Sequence, residues 1–127
     1  MGIADTLVAI KQAIGGQPAM LPGDAAARYP ELRRATWRRG GLPVRVGGWC
    51  LGRRSVSAIT LWNTVWLAPD VVPSDELLLH ELRHVDQFAE RTLFPLSYLW
   101  QSLRYGYVRN RFEVDARAYA MRRVQGS

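Results

Sequence analysis

Three residue types are scarce in this sequence, and each scarcity closes off a class of protein. A single cysteine, Cys50, permits no internal disulfide framework, which fits a reducing, cytoplasmic setting. Only two histidines are present, His80 and His84, so no metal site with three histidine ligands can be built. One lysine stands against sixteen arginines, giving a net charge of +6 that suits an acidic or polyanionic partner. The arginines come in pairs such as Arg33-Arg34, Arg38-Arg39 and Arg122-Arg123, with no long run, so a solvated basic surface accounts for them equally well. A membrane span or secretory leader is not expected either. The N-terminal stretch MGIADTLVAIKQAIGG lacks a basic leader region, and Asp5 and Lys11 interrupt its apolar residues.

What is present points to one domain. With 127 residues, 48% of them hydrophobic, the chain supports a modest core and leaves no room for a separate substrate or regulatory unit. The expected organisation is a single minimal unit over 1–127, with a helical N-terminal part (1–35), a small sheet (36–69) and a helical part (74–124). The fold class is α+β, a small antiparallel sheet of about three to four strands on a helical core.

The segment SDELLLHELRHVDQFAE, Ser74 to Glu90, carries the strongest signal. Ser74 is placed as an N-cap, and Asp75 and Glu76 put negative charge in the first helical turn, where the dipole favours it. Leu78, Leu82, Val85 and Ala89 recur at helical spacing and predict a buried stripe beside the histidine face. His80, Glu81 and His84 spell HExxH. Positions four apart stack on one face of a helix, so both imidazoles can reach a single metal ion with Glu81 beside them, a zinc-hydrolase signature.

A catalytic zinc needs a third protein ligand, and with no further histidine this must be a carboxylate or Cys50. Asp86 and Glu90 share the helix but lie off the ligand face. Cys50 sits between glycines on an apparent strand, where a small hydrophobic thiol is ordinary. Glu113 is the preferred candidate, near the start of a helix and followed one turn later by Ala116, which allows close packing. The same residue also fits a capping box, Asn110-x-x-Glu113, with its carboxylate turned back onto the backbone.

Elsewhere, Ile3, Leu7, Ile10 and Ile14 predict an amphipathic helix over 3–14 whose apolar face packs on the core or docks on a partner. Asp24 and Pro30 open short helical turns. Between Thr36 and Pro69, glycines, Pro43 and Asn63 bound the runs VRV, WCL, SVSAITL and TVWLA, read as antiparallel strands. Trp62-Asn63 is the turn between the last two, with Asn63 tolerating left-handed geometry. Past Glu90, Pro95 opens a helix on which Leu96, Leu99, Trp100, Leu103 and Tyr107 form one apolar stripe, and Gly106 ends or bends it. In the last helix, Phe112, Ala116, Tyr119 and Ala120 are expected to face inward.

HELRHVDQ, followed after a helical hairpin by NRFEVDARAYA, resembles the gluzincin zinc metallopeptidases, above all the short minigluzincins and related HELxH domains. The preceding AITLWNTVWLAP is similar to the strand that binds substrate backbone in such enzymes. The resemblance covers roughly residues 56 to 122. It implies a minimal metallopeptidase with a peptide or protein substrate, Zn2+ held by His80, His84 and Glu113, and Glu81 as general base. It also implies a donor for the oxyanion, for which Tyr105 and Tyr107 are the candidates and Tyr119 a weaker one. Arg117 stands where the family carries an aspartate four residues after the glutamate ligand, leaving Asp115 to support the zinc ligands. Short members can be latent, with part of the chain covering the zinc. The alternative is a small basic module that binds nucleic acid or protein, with a non-catalytic metal or none.

Overall fold

A computed structural model describes residues 2–44 and 57–126. It is an α+β fold in which one small sheet packs on a helical core. Of the run VRV, Val44 is buried and helical rather than extended, while Arg45 and Val46, the run WCL with Cys50, and Ser55-Val56 of SVSAITL lie outside the described residues.

The first helix, α1, spans Ile3–Gly15. Next come a two-residue strand β1 (Gln17–Pro18), a short helix α2 (Ala25–Arg28), a 3-10 turn (Pro30–Arg34) and strand β2 (Thr36–Arg39). Strands β3 (Ala58–Leu61) and β4 (Thr64–Leu67) form a hairpin, and three helices follow: α3 (Asp75–Glu90), α4 (Phe94–Arg109) and α5 (Arg111–Gln125).

The sheet order is β1-β2-β4-β3, and the sheet is mixed rather than antiparallel throughout. β1 and β2 pair antiparallel, as do β3 and β4, but β2 and β4 run parallel with Trp37 opposite Val65 and Arg39 opposite Leu67. The reason lies in burial. β4 is the most apolar strand, with Val65 and Leu67 fully buried, so it takes the interior position beside β2 and pushes β3 to the edge. A strand two steps along a hairpin then runs in the same direction as its neighbour. The hairpin turn also differs from expectation, because Trp62 and not Asn63 takes the left-handed conformation, at φ 54°. Its ring lies against Phe88, centroids 5.7 Å apart, and that contact favours the strained backbone.

α3 forms for the reasons its sequence suggests. The Ser74 hydroxyl accepts from the Leu77 backbone N–H at 3.1 Å, and Leu78, Leu79, Leu82 and Val85 are buried. Ala89, expected in that stripe, is exposed, since the helix extends past the core by its last turn. The core joins these residues to Tyr29, Leu32, Trp37, Val65, Leu67 and Ala120. α5 lies against α3 through Ala116, fully buried, whose small side chain lets the two backbones approach. Ion pairs tie the rim: Arg28 to Asp75, Arg34 to Asp86 and Arg123 to Glu31. Arg38 and Arg39 are spent on backbone carbonyls, of Gly16 and of Ala68 and Val71. Among the described paired arginines, Arg34, Arg38, Arg39 and Arg123 therefore act as structural clamps.

Candidate metal centre

His80 and His84 project from one face of α3, their rings edge to face with centroids 4.9 Å apart. Glu113, in the first turn of α5, enters between them. Its Oε2 lies 2.9 Å from His80 Nε2 and its Oε1 2.9 Å from His84 Nε2. One ligand atom from each of the three residues falls within 4.8 Å of the others, a group that could hold a metal ion. The side chains of His80, His84 and Glu113 are 14%, 8% and 3% exposed, so the group is enclosed.

The start of α5 shows how the sequence frees Glu113 for this position. Asn110 caps the helix alone, its Oδ1 accepting from the Phe112 N–H at 2.9 Å. The glutamate does not turn back onto the backbone as a capping box requires. The Asn110 amide also donates to Tyr98 O and Ser102 Oγ, at 3.1 and 2.8 Å, which docks the start of α5 against α4.

The surrounding hydrogen bonds fix the chemistry of the donors. Gln87 donates its amide N–H groups to Phe112 O (3.0 Å) and Asp115 Oδ2 (2.9 Å). Its Oε1 must then face His84 Nδ1, 2.7 Å away, and accept a hydrogen bond from the Nδ1–H. Nε2 of His84 is thereby the atom turned toward Glu113, and a neutral ring offers its lone pair there. Asp115, proposed from sequence as outer support, reaches His84 through Gln87 and is itself held by Arg83 Nε at 2.6 Å. Gln87 was missed in the sequence, although it stands three residues after His84, where a helix places a side chain beside it.

In the metal-free protein these contacts act as an ion pair. Burial alone lowers the affinity of His84 for a proton, but the Glu113 carboxylate outweighs it and raises the imidazole to about 9. Burial would likewise raise Glu113, yet the two imidazoles hold it well below the usual carboxylate range. A site that draws an anionic oxygen and two imidazole nitrogens onto one point has the N/O donor chemistry of a divalent transition-metal site.

Glu81 is buried beside the histidines, and Thr60 on β3 donates to its Oε2 at 2.7 Å. The tyrosine that reaches the centre is Tyr98. Its hydroxyl donates to Glu113 Oε1 at 2.9 Å, and burial together with that carboxylate raises its pKa, keeping it a donor. Tyr105, nominated from sequence, is half exposed with Arg104 over its ring, because Gly106 breaks the helix just beyond it at φ 80°. Tyr107 is half-buried and close enough to bear electrostatically on Tyr98. Tyr119 packs against the hydrophobic core. The signal for Tyr98 was its spacing: Phe94, Tyr98 and Ser102, four apart, make a second face of α4.

No family model, curated protein or solved structure matches this chain. Among the described residues no helix is long and apolar enough to cross a membrane.

Proposed function

We propose that this protein is a zinc-dependent metallopeptidase of the gluzincin type, with His80, His84 and Glu113 as metal ligands. The observation that carries the reading is the convergence of these three side chains within 4.8 Å, with Glu81 buried alongside. Zinc held there would supply a water that ionises near neutral pH and a Lewis acid for a peptide carbonyl. Glu81 takes the proton of the attacking water and returns it to the leaving amine. Its Oε2 accepts from Thr60, so the proton is assigned to Oε1. Thr60 keeps the carboxylate oriented, and Gln87 keeps Nε2 of His84 directed at the ligand position. The enclosure of the ligand side chains supports a latent form, in which a conformational opening precedes access of a peptide.

The test is elemental analysis followed by a peptide-library digest. Wild type and Glu81→Gln should each hold about one zinc per chain, and only wild type should release new amino termini. Cleavage by Glu81→Gln would remove that residue from the mechanism. A wild-type chain that takes up no zinc when supplied with it would remove the reading altogether and favour a basic binding module.

A further inference from the structure

The helix α4 is inside out. Its inward face is polar or aromatic: Tyr98 bonds Glu113, and Ser102 takes a hydrogen bond from Asn110. Its outward face carries Leu96, Leu99, Trp100 and Leu103, which are between 53% and 76% exposed. Spacings of three, one and three residues place these four side chains on a single stripe of the helix. A contiguous apolar stripe of this size facing water marks a contact surface.

Charge says what kind of surface it meets. From Arg91 to Phe112 the chain contains no aspartate or glutamate and four arginines, Arg91, Arg104, Arg109 and Arg111. All four are exposed, and among the described residues none is ion-paired. The arginines with acidic partners, Arg28, Arg34, Arg83 and Arg123, belong to other elements. Two of the free guanidiniums, Arg91 and Arg111, lie over the Phe112 ring at 5.2 and 4.8 Å. That stacking leaves their N–H groups available for oxyanions.

We infer that this stripe and its arginine rim dock on the surface of an anionic lipid bilayer. An interfacial helix combines leucine and tryptophan on one side with basic residues that meet the headgroups, and tryptophan settles at the boundary between acyl chain and water. A second copy of the chain fits worse. A two-fold interface through this stripe would bring like-charged rims together with no acidic residue in the segment to oppose them. Docking in this way puts the membrane on one side of α4 and the metal centre on the other, about one helix diameter, roughly 10 Å, from the lipid surface.

The experiment is flotation of the full chain with vesicles of phosphatidylcholine alone and vesicles containing about one-third phosphatidylglycerol. The expected result is at least roughly tenfold greater uptake by the anionic vesicles, weakened by salt. Leu99→Asp with Leu103→Asp should abolish that uptake with melting unchanged, both positions being exposed. Arg104→Glu with Arg109→Glu should reduce it by about tenfold or more. Three results overturn the inference. One is wild type that stays unbound on anionic vesicles. Another is uptake that persists in the double aspartate variant, which would assign binding to general basic charge or to another element. The third is a dimer in sedimentation equilibrium that the aspartate pair dissociates, without any vesicle uptake, which would give the stripe to a second copy.

Discussion

α3 and α4 both span 16 residues and are amphipathic, α4 with a kink at Gly106, yet they solve opposite problems. α3 buries its leucine stripe and sets its histidines at the margin of the core, so its hydrophobic face stabilises the fold and its polar face makes the site. α4 turns its polar face inward, because Glu113 and Asn110 require hydrogen-bond partners where they are buried, and leaves its leucines in water. Satisfying a buried carboxylate has decided the orientation of a whole helix. An apolar period therefore identifies a face but not its direction. The direction depends on what the neighbouring elements must satisfy.

The largest effect should come from cutting the link between these helices at Glu113. Glu113→Ala should lose the zinc that wild type retains, and in the metal-free state should lower stability by about 3 kcal/mol or more, since two enclosed imidazoles lose their common acceptor. Elemental analysis and denaturant unfolding of the two proteins side by side would check both. Retained stoichiometric zinc would move the third ligand elsewhere.

The same comparison can be made with leucines. Leu82 on α3 is fully buried, and Leu82→Ala should cost roughly 2–5 kcal/mol. Leu103 on α4 is 76% exposed, and Leu103→Ala should stay within about 0.5 kcal/mol. Urea midpoints at constant m-value give the answer. Equal losses would show that the stripe of α4 is buried in solution.

What was legible in the sequence was local. The cap at Ser74, the leucine period and HELRH all lie within one helix and need no knowledge of the rest. Glu113 could be nominated because few carboxylates were left to consider, though choosing between ligand and capping box required knowing how Asn110 spends its own amide. The tyrosines were misplaced because nearness in sequence to Glu113 stood in for nearness in space, while Gly106 and the docking of Asn110 against Tyr98 bring an earlier turn of α4 alongside. The parallel pairing of β2 with β4 was hidden for a related reason. Strand direction follows from which strand wins the buried position, a competition that no single run of residues displays.

A pH titration should separate the two helices next. In the metal-free protein the raised His84 contributes stability that is fully present below its ordinary 6.5 and is lost as pH rises through about 9. The lowered Glu113 contributes stability present above its ordinary 4.5 and lost as pH falls below it. Stability should therefore peak between these limits and fall on the alkaline side by on the order of 3 kcal/mol, with Glu113→Gln flattening the curve. Melting temperature from pH 5 to about 10 measures it, and a flat alkaline limb in wild type would show that the ion pair does not form.

The smallest effect is the most discriminating, because it compares two tyrosines on one helix. Tyr98→Phe removes only the hydroxyl that donates to Glu113 Oε1, leaving the ring packed against His84 and Phe94. Glu113 keeps both imidazoles, so the loss should be near the low end for a charge-assisted hydrogen bond, about 1.5 kcal/mol. As an outer partner of a ligand, Tyr98 should also tune metal affinity, with about a tenfold weakening by chelator competition. Tyr105→Phe, on the half-exposed ring beyond the turn that Gly106 breaks, should change neither quantity. If the two substitutions behaved alike, the inward polar face of α4 would have no part in holding Glu113. The reason given for its inverted orientation would then fail.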